Sequence, residues 1–296
     1  MPHRVRHSRS HWLTRCVTPA LAVLLSACSP FKALNAFNTD RAQQVSLDQA
    51  YGADPRQRVD IYAPRQAASL PVVVFFYGGS WNSGERRDYA FVGDALASRG
   101  IVAVIADYRL YPEVRYPAFV QDAAQATRWV RSHIGAFGGD PDRIFVAGHS
   151  AGAYNAAMVA LDSRWLNALG SDPSMLRGWI GISGPYDFLP IDNDAVKPAF
   201  HFPDTPADSQ PIVHVTATSP PALLLTGTAD TTVNPERNTL GLAQALTAAG
   251  VSVTVRTYAG IGHAMTVGAF ARPLRWRASV LDDLTTFVLQ SSAKAR

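Results

Sequence analysis

The chain has 296 residues, 47% of them hydrophobic and 17% charged, with 27 Lys and Arg against 23 Asp and Glu. That apolar content at this length supplies the core of one large domain and excludes a disordered, collagenous or low-complexity protein. Two cysteines exclude a disulfide scaffold and a four-cysteine zinc site, while the surplus of +4 raises nucleic acid or an anionic surface as a partner.

The surplus sits at the front. Residues 1–27 hold Arg4, Arg6, Arg9 and Arg15 and no acid, so 28–296 balance at 23 basic against 23 acidic residues. Nucleic acid is thereby set aside. Behind the arginines, 17–27 is an apolar run shorter than the ~20 residues of a membrane span. A basic start, an apolar run and small residues predict a cleaved signal peptide over 1–27. Leu25-Ser26-Ala27-Cys28 resembles the lipobox of bacterial lipoproteins. The resemblance implies that Cys28 becomes the lipidated first residue of the mature chain and its membrane anchor. Ser29, where an inner-membrane retention signal has Asp, implies the outer membrane. His3, His7 and His11 recur every four residues but fall in the leader, so no metal site is expected from them. Residues 28–50 read as a polar tether, and 51–296 as a single folded domain.

From residue 58 the chain alternates two patterns. Apolar runs predict strands at 58–62, 72–77, 101–108, 144–148, 179–182, 222–226 and 251–258. Between them, helical patterns occupy 89–99, 117–134, 151–161, 235–249 and 276–289. Gly100 ends the first helix, and Pro117 opens the second, whose stripe is Ala123, Ala126, Trp129 and Val130. Repeated strand–helix units predict an α/β fold, a mostly parallel sheet with helices on both faces. The stretch 185–221, rich in proline and aspartate, breaks the periodicity and reads as a cap insertion.

Gly148-His149-Ser150-Ala151-Gly152 lies between the 144–148 strand and the 151–161 helix. A serine on such a turn projects its hydroxyl from the edge of the sheet, and close packing requires glycines on either side. Ser183, in Gly181-Ile182-Ser183-Gly184-Pro185, has no following helix and reads as a strand end. A serine nucleophile needs a base and an orienting carboxylate, which follow in the order acid, then His. His201 and His214 fall in the irregular stretch; His263 follows the 251–258 strand and Asp230 the 222–226 strand. Ser150, Asp230 and His263 are therefore the expected triad, at the carboxyl edge where open α/β sheets place their sites. His149 reads as a core or pocket-rim residue. Tyr77-Gly78-Gly79-Ser80-Trp81 ends the 72–77 strand, and its glycines let backbone amides approach a ligand, joined by the Ala151 amide at a helix start.

With these pieces in order, the chain resembles the α/β-hydrolase carboxylesterases, the group that includes hormone-sensitive-lipase-like esterases, isoprenylcysteine methylesterases and kynurenine formamidases. Matching stretches are 77–81, Asp107-Tyr108-Arg109-Leu110 with Pro112-Glu113, Gly138-Gly139-Asp140-Pro141, 148–152, Asp230 and His263, spread over roughly 58–290. The resemblance implies an α/β-hydrolase fold, Ser150 as nucleophile, His263 as base, Asp230 as its orienter, and the amides of Gly78, Gly79 and Ala151 as oxyanion donors. Tyr77 departs from the family's usual His, and either shapes the pocket or hydrogen-bonds its own loop. Asp107, Arg109 and Glu113 are expected to position their loop.

The expected function is a serine carboxylic-ester hydrolase acting through an acyl-enzyme on small or medium acyl or aryl esters, without metal or cofactor. An arylformamidase-like amidase or small serine peptidase shares this machinery. A catalytically silent binding lipoprotein is the reading of another class. Trp81, Tyr186 and Phe188 are the expected apolar walls of the substrate pocket.

Overall fold

Eight strands form one sheet in the computed structural model, which describes residue 1 and residues 30–293. The expected signal peptide and Cys28 lie outside the described residues. Strands β1 (Gln44–Ala50), β2 (Arg58–Ala63), β3 (Leu70–Phe76), β4 (Val102–Ala106), β5 (Gly139–His149), β6 (Leu176–Ile182), β7 (Ala222–Gly227) and β8 (Val253–Tyr258) run in the order β1-β2-β4-β3-β5-β6-β7-β8. β2 is antiparallel to both β1 and β4, and every pairing from β4 through β3 to β8 is parallel. Every residue of β4, and all of β3 after Leu70, is buried. Strands covered on both faces can be apolar throughout, which is why these two read as continuous runs.

Helices α1 (Pro30–Phe37), α2 (Ala90–Ala97), α3 (Ala118–His133), α4 (Ala151–Leu161), α5 (Arg164–Asn167), α6 (Gly241–Ala248), α7 (His263–Gly268) and α8 (Val280–Ala293) complete the fold. α2 packs with α8, and α3 with α4, to clothe the two faces of the sheet. α4 is buried along its whole length. Its alanines let it lie close between the sheet and α3, where a bulkier helix would overpack the core.

Register places the site. Phe76 pairs with Gly148, His149 with Ile182, Ile182 with Leu225 and Gly227 with Tyr258, so β3, β5, β6, β7 and β8 end level with one another. The loops leaving those strands therefore emerge side by side at the carboxyl edge.

The N-terminal boundary differs from expectation. The stretch read as a tether is folded from residue 30. Phe31 packs on Tyr89, ring centroids 4.8 Å apart. The Asn35 side chain donates to the carbonyls of Arg87 and Asp88 and accepts from the Phe91 amide. β1 follows as an edge strand with a bulge between Ser46 and Gln49. Its residues are exposed or half-buried, Val45 and Leu47 among them, so no buried face marked it as a strand. Two predicted helices also change. The expected helix over 235–249 divides into one wide π turn (Glu236–Leu240) and α6. The expected helix over 276–289 begins later, because a tight turn (Arg272–Arg277) precedes α8. The cap segment 185–221 contains only short 3₁₀ turns.

Candidate active site

Ser150 occupies the turn between β5 and α4 with φ 55° and ψ −122°, a left-handed backbone that a side-chain-bearing residue adopts only under constraint. The constraint is close packing. A Cβ on Gly148 would lie 2.2 Å from the Gly152 carbonyl oxygen, and a Cβ on Gly152 would lie 2.0 Å from that of Phe76. The Ser150 amide is tied to the Ile182 carbonyl at 2.9 Å. The Ala151 N–H, first in α4, has no intrahelical acceptor. It faces the end of the helix where negative charge is favoured.

Asp230 follows β7 and His263 opens α7 after β8. Asp230 Oδ2 accepts from His263 Nδ1 at 2.8 Å, while its Oδ1 accepts the Thr232 and Val233 amides, each at 2.9 Å. Burial opposes the charge on Asp230, but the His263 bond and the two amides outweigh it and hold the carboxyl below its ordinary pKa. The Asp therefore stays ionised, fixes the imidazole with Nδ1 protonated, and leaves Nε2 to take a proton. Asp230 and His263 are thus brought together, with His263 beside the Ser150 turn: the His149 and His263 rings lie 4.8 Å apart. The Ser150 hydroxyl makes no hydrogen bond among the described residues, and such nucleophile–base contacts commonly close only around substrate. His201 and His214 lie in the cap, each bonded to a backbone carbonyl, those of Tyr116 and Asp208.

The glycine turn after β3 lies directly against Ser150. A Cβ on Gly78 would sit 3.0 Å from the Ser150 Cβ. Gly79 has φ 133°, and Ser80 and Trp81 follow at 52° and 57°, three left-handed residues in succession. Burial raises the Tyr89 pKa, and the nearby Gly78 amide lowers it in part.

Tyr77 does not line the pocket. It is fully buried beneath the turn, stacked on Tyr108 at 4.8 Å and Tyr89 at 5.6 Å. Its hydroxyl accepts from Arg56 at 2.7 Å, and Arg56 also donates to the carbonyls of Gly84 and Tyr108. The Tyr77 phenol thus anchors the loop from below. Arg56 was not singled out in the sequence. Nothing in its own neighbourhood, Asp54 to Gln57, announces that it reaches the turn after β3. Behind it lies an ionic cluster around buried Arg86. Arg86 bonds Asp60 through Nε at 2.9 Å and pairs with Asp107 and Asp48, and the Arg86 amide donates to Asp107 at 2.8 Å. Arg109 forks onto Asp122, which is buried. Asp107 and Arg109 therefore hold their loop, as expected.

A cavity of about 220 Å³ opens at Ser150 and Ala151. Trp81 and Phe188 line it, with Ile191 and Val196 from the cap and Thr232, Asn234 and Arg237 from the turn after Asp230. Trp81 is held by its indole N–H, which donates to Asn155 at 3.1 Å. Tyr186 and His149 are not among the lining residues. Tyr186 is buried behind the wall, against Trp179. His149 is buried between the triad loop and the glycine turn. His149 takes the core place read for it, while Tyr186 is corrected for a plain reason: an aromatic residue next to a site has equal reason to pack inward, and only the register of the loop decides. The 232–237 side chains were missed because they follow the acid by a turn that the sequence pattern does not shape.

Residues 59–246 match the BD-FAE family. A probable isoprenylcysteine alpha-carbonyl methylesterase of Arabidopsis thaliana is 30% identical over 274 residues, covering 85% of this chain and 64% of that protein. The esterase LipC of Mycobacterium tuberculosis is 32% identical over 209 residues, covering 63% and 51%. The chain spans between 36% and 66% of the length of the isoprenylcysteine methylesterase relatives it matches. Among solved structures, Thermogutta terrifontis esterase 2 phosphorylated by paraoxon superimposes with a TM-score of 0.70 at 25% identity, over 84% of this chain and 95% of that one. A Pyrobaculum calidifontis esterase gives 0.72 at 24% identity over 94% and 99%, a likeness of fold.

Proposed function

The chain belongs to the BD-FAE family and has the α/β-hydrolase fold, and from that premise we propose that it is a serine carboxylic-ester hydrolase working through an acyl-enzyme. The observation that carries this is the 2.8 Å Asp230–His263 bond beside a serine held on a strained strand-to-helix turn. Ser150 Oγ attacks the ester carbonyl carbon while His263 Nε2 accepts its proton. The carbonyl oxygen becomes an oxyanion facing the amides of Gly79 and Ala151, with Gly78 alongside. Collapse expels the alcohol, which takes the proton back from His263, and leaves the acyl group on Ser150. Water, activated by the same His263, then attacks the acyl carbon and frees the acid and Ser150.

The cavity volume and its walls of Trp81, Phe188, Ile191 and Val196 suit a small or medium acyl or aryl group. Wild-type protein is expected to hydrolyse p-nitrophenyl acetate and to be labelled on Ser150 by a fluorophosphonate. Ser150→Ala is expected to lose both, with turnover down by about a millionfold. Wild-type turnover in the Ser150→Ala protein overturns the assignment. A panel of matched esters, formamides and peptides reads the leaving-group preference; formamide or peptide turnover above ester turnover makes it an amidase.

Location follows a separate line. The chain is proposed to be an exported lipoprotein of the outer membrane, anchored through Cys28. α1 begins two residues after that cysteine, and the two most exposed aromatic side chains among the described residues lie at this end, Phe37 at 72% and Trp276 at 76%. Asn38 and Asp40 tie the end of α1 to Arg272 and Arg275, next to Trp276. Mass spectrometry of the protein from a bacterial envelope is expected to find acyl chains on an N-terminal Cys28. An intact leader, or cleavage without acylation, refutes it.

A further inference from the structure

His149 is fixed at the end of β5 by its place next to Ser150, yet its ring makes contacts that a filler residue would not. Its Nε2 lies 3.1 Å from the His263 carbonyl oxygen. A carbonyl only accepts, so this nitrogen carries the proton and donates. Burial, and then the neighbouring His263, push the His149 pKa down to about 3, so the ring is neutral. A neutral ring protonated at Nε2 has a bare lone pair on Nδ1, and that atom is buried with no partner among the described residues. An unpaired buried acceptor is destabilising, and an apolar side chain of similar size would avoid it.

What the ring gains is position. The His263 carbonyl that it grips also accepts from Thr266 Oγ1 at 2.6 Å, and Thr266 meets the Ser183 hydroxyl at 3.2 Å. The backbone of the base is thereby held by residues at the ends of β5 and β6. On the ring's other edge, Nδ1 lies 3.0 Å from where a Gly78 Cβ would be. The ring thus fills the space between the base loop and the glycine turn, one peptide unit from the nucleophile. It does not serve as a second base, because its one free nitrogen, Nδ1, is buried against the glycine turn and burial makes the ring weakly basic. Being uncharged, it also leaves the proton arriving on His263 unopposed.

We propose that His149 is a positioning residue, a strut that sets His263 against Ser150 by clamping the His263 carbonyl from the nucleophile's own strand. The proposal rests on the esterase reading above. Reacting groups misplaced by about 1 Å lose on the order of 100-fold in rate.

The test compares His149→Leu with His149→Gln. Leucine removes both ring nitrogens, whereas the glutamine amide can still donate where Nε2 stood. For His149→Leu, kcat on p-nitrophenyl acetate is expected to fall about 10- to 100-fold with KM little changed. Its melting temperature is expected to equal or exceed that of the wild type, since the unpaired acceptor is gone. His149→Gln is expected to recover most of kcat. Wild-type kcat in His149→Leu, or equal loss in both variants, overturns the proposal, as does a fall in kcat matched by loss of folding in both. The NMR signal of the His263 Nδ1 proton keeps the two readings apart. If wild-type protein resists the fluorophosphonate, the esterase reading falls; the Nδ1 signal must still shift in His149→Leu and return in His149→Gln. An unchanged signal sinks the strut whatever the turnover.

Discussion

The two sides of Ser150 are built from different materials. Towards β1–β4, the glycine turn rests on Tyr77 and Arg56, and behind them buried Arg86 gathers the buried Asp60 and Asp107 and the exposed Asp48 into an ionic cluster. Towards β6–β8, His263 is held by neutral groups, His149, Thr266 and Ser183, with Asp230 as the single charge bonded to it among the described residues. The division follows the chemistry. Backbone amides that stabilise an oxyanion need rigidity, and charges behind them can be paired once and left. In the proposed reaction His263 gains and loses a proton in every turnover, and each extra charge nearby would bias it towards one state. One side is locked and the other is kept electrically quiet.

The sharpest way to break this contrast is on the quiet side. Asp230→Asn preserves shape but removes the charge and favours the wrong His263 tautomer, and kcat is expected to fall by about 10⁴-fold with the fold intact. Steady-state kinetics with a circular-dichroism control would check it; a loss of less than tenfold would mean that another group orients the base. On the locked side the expected effect is on stability instead. Arg86→Ala strands buried Asp60 and Asp107 and is expected to cost about 3–5 kcal/mol in urea denaturation.

A third test uses pH. A His with folded pKa near 3 and unfolded pKa near 6.5 is protonated only on unfolding in between. The unfolded state then binds the extra proton, so the stability contributed by neutral His149 is full above 6.5 and declines as pH falls towards 3. The slope is up to about 1.4 kcal/mol per pH unit. Denaturation of wild type and His149→Leu across that window should show a shallower slope in the variant; parallel slopes would place the acid sensitivity elsewhere. Asp230, with its pKa lowered, adds its own loss only further down, as pH drops through the ordinary carboxylate range and below. The smallest expected effect is that of Tyr77→Phe, about 1 kcal/mol by thermal melting, since Arg56 keeps its two carbonyl partners. Ester turnover should be little changed, and a large loss would show that the phenol does more than anchor the turn.

Much of this was legible in the sequence where function depends on local pattern. Ser150 stands between a recognisable strand and helix, and Asp230 and His263 each follow an apolar run, so chain order alone singled them out. The parallel sheet was legible for the same reason, since strands covered on both faces advertise themselves as apolar runs. What was not legible depends on which way a side chain turns. Tyr77 points down to Arg56, 21 residues earlier. Tyr186 turns to Trp179 while Phe188, two residues on, enters the cavity. β1 was invisible because an edge strand with solvent on its outer side needs no apolar face. Arg237, which lines the cavity, sits in the π turn that replaced the start of an expected helix.

The left-handed backbone of Ser150 has a consequence for how such a protein changes over generations. At φ 55° every residue except glycine sits at a disadvantage of about 1–3 kcal/mol. Glycine at 150 would therefore relax the turn and raise stability while abolishing the nucleophile. Selection for persistence alone would drift towards a sturdier, inert protein. The serine, at the least comfortable backbone position of its turn, is retained only while its chemistry is under selection.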